Sequence, residues 1–208
     1  MKAFIYTGGL IFPENITEKA KAGDLRIAAD GGYNNAKRLG AHVDILLGDL
    51  DSLGDVEVGE ETEVIRVPTE KDFTDTQFAV ETAIGRGADE IVIIGGLSGR
   101  LDHTLSNLSI LEDLWTRRVH AVITDGNNRA RFINSTSTLI ARSAFKYVSI
   151  LLTSEKAKGV SVDGCKYPLK NAKLDRYLQY AVSNEITGNC ALISVRKGSL
   201  YIVESRDA

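Results

Sequence analysis

Two patterns of apolar and polar positions divide the chain. Up to residue 126, short uninterrupted apolar runs alternate with longer stretches of helical periodicity. The runs at 2–7, 25–29, 45–47, 63–67, 90–94 and 119–124 read as strands; 33–39, 75–86 and 102–115 read as helices. Leu101, Leu105, Leu108, Leu111 and Trp115 recur three or four apart and predict an apolar stripe on the third helix. Continuous apolar strands alternating with helices predict a mostly parallel sheet covered on both faces.

Beyond residue 127 the helical period disappears. Short β-rich runs at 129–133, 137–142, 147–153, 159–162, 191–195 and 200–204 are separated by turn material such as Gly188-Asn189 and Lys197-Gly198-Ser199. This grammar predicts a small antiparallel sandwich or barrel. The expected fold is an α/β N-terminal domain with a mostly parallel sheet, residues 1–126, followed by a small all-β sandwich domain, residues 127–208. The turn Asp125-Gly126-Asn127-Asn128 is the joint.

Charge and composition narrow the function classes. The 208 residues carry 25 basic and 28 acidic side chains, a net charge of -3, with no basic run that would suggest nucleic acid or an anionic membrane. No apolar run approaches the roughly 20 residues needed to span a bilayer, and the first residues run directly into a strand, so the cytoplasm is the expected compartment. The two cysteines, Cys165 and Cys190, are too few for a disulfide framework and read as reduced, partly buried thiols.

The chemistry-bearing residues sit where strands run into loops. In an open parallel sheet ligands bind at that end. Strand 25–29 leads to Asp30-Gly31-Gly32, strand 45–47 to Gly48-Asp49-Leu50-Asp51-Ser52, strand 63–67 to Lys71-Asp72-Phe73-Thr74-Asp75, and strand 90–94 to Gly95-Gly96 and then Gly99-Arg100-Leu101-Asp102-His103. Six aspartates would share one rim. Two like charges 4 Å apart repel by about 4 kcal/mol at an effective dielectric of 20. Such a group must protonate, pair with Lys71 and Arg100, or bind a divalent cation; carboxylates, waters and substrate phosphates are the usual surroundings of magnesium. The glycines would let backbone N–H groups approach phosphate.

Taken singly, each piece is ambiguous. Asp30-Gly31-Gly32 fits a turn and helix cap. Asp49-Leu50-Asp51 leaves a metal role open. Thr74 and Gln77 fit a capping box, so Gln77 reads as structural and Asp75 as the functional candidate. His103 and Asn107 lie one turn apart but lack a third zinc ligand. Residues 95–99 have neither the dinucleotide spacing nor the Gly-Lys-Ser/Thr ending of a phosphate loop.

In their order, these segments resemble the successive motifs of thiamine pyrophosphokinases. The resemblance extends through Asn107-Leu108 and resumes in Gly164-Cys165-Lys166-Tyr167-Pro168-Leu169 and Val182-Ser183-Asn184-Glu185, so it covers nearly the whole chain. It implies a nucleotide-binding catalytic domain followed by a thiamine-binding sandwich, paired as a homodimer with thiamine at the subunit interface. It further implies that Asp49, Asp51 and Asp75 hold Mg2+, and that Arg100 clamps phosphate while Asp102 contacts nucleotide or metal. ATP would also meet Asp30, Gly31, Lys71, Asp72, Gly96 and His103. Thiamine would face Ser183 and Asn184, with Tyr167 near its rings; many relatives carry Trp at that position. Two other classes compete. Another magnesium-dependent phospho- or nucleotidyl-transferase could use Asp-x-Asp, although Ser52 and the mid-domain position argue against a haloacid-dehalogenase-type phosphatase. A non-catalytic thiamine or nucleotide sensor would be marked by a lost carboxylate or arginine, and Asp49, Asp51, Asp75, Arg100 and Asp102 are all present.

Overall fold

The computed structural model describes residues 1–49, 58–66, 72–178 and 180–207. The chain divides into two compact units, Met1–Gly126 and Asn127–Ala208.

In the first unit the described strands are β1 (Lys2–Tyr6), β2 (Leu25–Ala29), β3 (Ile45–Gly48), β4 (Glu63–Arg66), β5 (Glu90–Ile94) and β6 (His120–Thr124). They lie in the order β4-β3-β2-β1-β5-β6, each pair parallel. The helices are α1 (Gly32–Arg38), α2 (Asp75–Gly85) and α3 (Leu101–Thr116). Ile5, Ile27, Ile45, Leu46, Leu47, Ile91 and Ile93 are fully buried, which is why these strands read as continuous apolar runs. Each such side chain contributes about 1.5–3 kcal/mol through burial. From β1 the chain steps through β2 and β3 to β4 on one side, whereas β5 and β6 lie on the other. The strand order therefore reverses between β1 and β5, and such a switch point opens a crevice at the carboxyl ends of the strands.

α2 starts where the capping signal places it. Thr74 is extended, and its hydroxyl accepts from the N–H of Gln77 at 3.2 Å. α3 corrects the expected stripe. Its buried face is Asn107, Ile110, Leu111 and Leu114, whereas Leu101 and Leu105 are 69% and 56% exposed. A leucine-rich helix offers more than one face of suitable spacing. Here the hydrogen bond from Asn107 Nδ2 to Gly96 O, 2.9 Å, goes with the face centred on Ile110 and Leu111.

The second unit is built from β7 (Asn128–Asn134), β8 (Ser137–Ala141), β9 (Tyr147–Leu152), β10 (Lys156–Asp163), β11 (Leu169–Asp175), β12 (Cys190–Ser194) and β13 (Ser199–Ser205). β13 pairs antiparallel with β7 and β9; the other layer runs β11-β10-β12-β8, also antiparallel. The buried residues alternate along β9, β12 and β13, the pattern of sheets with one packed and one solvated face. β11 was not expected. Its sequence Leu-Lys-Asn-Ala-Lys-Leu-Asp is too polar to read as a strand, and it lies at a sheet edge where lysines are common. Both cysteines are free thiols, and burial raises the pKa of Cys165.

Candidate active site

The first unit holds a cavity of about 480 Å3 at the carboxyl ends of β1, β2 and β5. Thr7, Gly8 and Gly9 line it after β1, Asp30 and Gly31 after β2, and Gly96, Ser98 and Gly99 after β5. Thr74, Asp75 and Thr76 enter from the start of α2, and Arg100, His103 and Asn107 from the start of α3.

Local chemistry explains why the backbone turns here. A Cβ on Gly32 would stand 2.0 Å from Tyr6 O, so only glycine lets α1 begin directly against β1. Asp30 has φ 48°, a left-handed conformation that aspartate tolerates better than most residues but that still costs energy. Its Oδ1 is buried with no hydrogen-bond partner among the described residues. Asp30 thus combines an uncommon backbone conformation with a buried oxygen that lacks the partner such atoms almost always have.

Arg100 and Asp102 form a bidentate pair, with Nε to Oδ1 at 3.1 Å. Both are exposed; their shared hydrogen bonds lower the carboxyl pKa of Asp102 and raise that of the guanidinium. The guanidinium of Arg100 thus lines the cavity while paired with a carboxylate in the fork geometry that arginine also offers to phosphate groups.

The second unit has its own cavity, of about 100 Å3, between the two sheets. Val148, Ile150, Val162 and Ile193 give it an apolar floor, and Tyr167, Tyr180 and Asn184 stand at its wall. Asn184 holds Tyr167 in place: its Oδ1 accepts from Tyr167 N at 3.0 Å, and its Nδ2 donates to Tyr167 O at 2.8 Å. Tyr167 is 61% exposed, with the Lys166 ammonium 5.6 Å from its ring centre.

Known proteins resemble this chain in both halves. Residues 16–123 match the family model "Thiamin pyrophosphokinase, catalytic domain", and residues 136–200 match "Thiamin pyrophosphokinase, vitamin B1 binding domain". The chain belongs to the thiamin pyrophosphokinase family. Thiamin pyrophosphokinase 1 of Caenorhabditis elegans is 27% identical over 203 residues, 92% of this chain and 82% of that protein. Thiamine pyrophosphokinase of Bacillus subtilis is 28% identical over 165 residues, 77% of each. The crystal structure of a Bacillus subtilis thiamine pyrophosphokinase superposes with a TM-score of 0.88 at 25% identity, covering 100% of both chains.

Of the residues that the resemblance to thiamin pyrophosphokinases singled out, Asp30, Gly31, Asp75, Gly96, Arg100 and His103 line the larger cavity together. Asp49, Asp72 and Asp102 do not line it. Asp49 follows Gly48, where an added Cβ would meet Asp30 Cβ at 3.1 Å, so it leaves the sheet beside Asp30. Asp51 and Lys71 lie outside the described residues. Among the described residues no three His, Cys, Asp or Glu side chains group as metal ligands. In the second unit Tyr167 and Asn184 line the smaller cavity, whereas Ser183, exposed at φ 57°, does not.

Sequence reasoning missed Thr7, Gly8 and Gly9, although a Gly-Gly pair directly after the first strand was a legible signal. It also missed Asn35, a buried asparagine whose Nδ2 donates to Thr7 O at 2.7 Å and Gly9 O at 3.0 Å. Nothing in a single sequence marks that role.

Proposed function

We propose that the protein is a thiamine pyrophosphokinase that transfers the pyrophosphoryl group of ATP to the hydroxyl of thiamine, giving thiamine diphosphate and AMP. The reading rests on one conjunction. The catalytic-domain match spans most of the acid-rimmed cavity, and the vitamin B1 binding match spans the aromatic-walled one, in a single chain. In the reaction a bond forms between the thiamine hydroxyl oxygen and the β-phosphorus. The bond from that phosphorus to the oxygen bridging it to the α-phosphorus breaks, AMP leaves with that oxygen, and the hydroxyl proton is released. Such a transfer needs positioning and charge neutralisation rather than a covalent intermediate.

The carboxylates fit a divalent cation: the orphaned Asp30 Oδ1 is an unused hard donor at the cavity wall, and oxygen donors are what magnesium selects. Asp49, Asp51 and Asp75 would hold Mg2+, with Asp30 at the same pole; the ion would neutralise phosphate charge. Arg100 would exchange Asp102 for a phosphate, leaving Asp102 to meet nucleotide or metal. Gly31, Lys71, Asp72, Gly96 and His103 would complete the ATP site. Tyr167, Ser183 and Asn184 would form the thiamine site, where Tyr167, held by Asn184, offers a ring face to the thiamine cation.

A cytoplasmic homodimer with a shared active site completes the reading. Residues 1–126 hold 22 acidic and 12 basic side chains, residues 127–208 hold 6 and 13. The two units thus carry opposite net charge, which supports association between copies of the chain. Among the described residues no helix is long and apolar enough to cross a membrane.

Incubation of the purified protein with ATP, magnesium and thiamine should yield AMP and thiamine diphosphate in equal amounts, and none with chelator. Phosphate release without thiamine would instead indicate a hydrolase, and thiamine binding without turnover a sensor.

A further inference from the structure

Two buried asparagines clamp the two glycine loops that flank the switch point. Asn35, on α1, donates through Nδ2 to the carbonyls of Thr7 and Gly9, at 2.7 and 3.0 Å. Asn107, on α3, donates to the carbonyl of Gly96 at 2.9 Å. The loops are also tied to each other. Gly96 N donates to Gly8 O at 3.1 Å, and Leu10 N to Ser98 Oγ at 2.7 Å. Asn107 and Gly96 fit so closely that a Cβ on Gly96 would stand 2.5 Å from Asn107 Nδ2.

These bonds set the direction of the peptide planes. In a trans peptide the N–H points opposite to the preceding carbonyl, and among the described residues no peptide bond is cis. With the carbonyls of Thr7, Gly8 and Gly96 held by Asn35, Gly96 N and Asn107, the N–H groups of Gly8, Gly9 and Leu97 each point away from the group that holds the preceding carbonyl. None of the three has an acceptor among the described residues, and Gly8 and Gly9 line the cavity. Gly8 and Gly9 thus bring backbone donors without acceptors to the cavity wall, where an anion can take them up.

We propose that Asn35 and Asn107 are positioning residues, which hold the Gly8-Gly9 and Gly96-Leu97 peptides as a preformed cradle for a phosphate group. The inference rests on the kinase reading for the identity of that group, a phosphate of ATP. Neither asparagine touches the reacting atoms; each acts through the peptides it fixes. Preformed backbone donors bind without the cost of ordering a loop at the moment of binding.

Titration of the 15N-labelled full chain with inorganic pyrophosphate and magnesium chloride tests the cradle directly. The amide signals of Gly8, Gly9 and Leu97 should shift saturably. In Asn35→Ala and Asn107→Ala, the Kd for pyrophosphate and the KM for ATP should each rise at least about tenfold, while the KM for thiamine stays within about twofold. Unmoved amides in the wild-type chain overturn the proposal. So do folded variants that bind pyrophosphate normally and lose only thermal stability. If the variants do not fold, the wild-type titration decides. Amide shifts in a protein that makes no thiamine diphosphate would retain the cradle and remove the kinase reading; turnover with unmoved amides would do the reverse.

Discussion

Asp30 combines two features that stability alone would not select. Its backbone is left-handed, and one carboxylate oxygen is buried without a hydrogen bond among the described residues. An unsatisfied buried polar atom costs about 1–3 kcal/mol, more when charged. Asn in its place would remove the charge and keep both the shape and the tolerance of positive φ. Asp30→Asn should therefore be as stable as the parent or slightly more so, while thiamine diphosphate formation falls about a hundredfold or more. Thermal melts and product assays on the same sample check this, and full activity in a folded Asp30→Asn would remove Asp30 from the site. Arg100 and Asp102 show the limit of reading such residues singly. Their types and positions were legible in the sequence, but their mutual pairing follows from the start of α3, which no spacing rule specifies.

At the scale of elements, α2 and α3 are joined by an ion pair. Arg117, just past α3, donates through Nη2 to Glu81 Oε2 on α2 at 2.9 Å. That hydrogen bond lowers the Glu81 carboxyl below its ordinary value of 4.5. A depressed folded pKa means the contribution is complete above about pH 4.5 and disappears as pH falls through the lower folded value. Glu81 is partly exposed, so solvent screening limits the pair to about 0.5 kcal/mol. Glu81→Gln should cost about that much at pH 7 and almost nothing at pH 3, measured by denaturant unfolding. An equal cost at both values would show that packing, not charge, joins the helices there.

The same scale shows how much of the fold was legible. The buried parallel strands came through because every residue on them faces apolar surroundings; β2 and β5 span the very residues their apolar runs cover. Thr74 marked the start of α2 through its own cap chemistry. β11 stayed hidden because an edge strand gains its pairing from β10 rather than from apolar side chains. The stripe on α3 was misread because leucine spacing does not say which face meets the sheet; Asn107, a polar residue, lies on the buried one.

On the scale of the whole molecule, the two units differ in what their cavities present. The first presents carboxylates, glycine loops and an arginine at a switch point; the second presents a small apolar cavity walled by tyrosines. The order of motifs along the sequence already paired these parts. What it left out was the support that holds them: Asn35 and Asn107 bonded to the loops, and Asn184 bonded to Tyr167. Such support is made of side chain to backbone bonds between distant segments, and single-sequence patterns do not carry it.

The central claim is that a pyrophosphoryl group moves intact from ATP to thiamine. The most direct measurement is to supply ATP labelled at the β-phosphorus, in parallel with ATP labelled at the α-phosphorus, and to separate the products. The β label should appear wholly in thiamine diphosphate and the α label wholly in AMP, both only when thiamine is present. A β label recovered in ADP or in inorganic phosphate would contradict the claim.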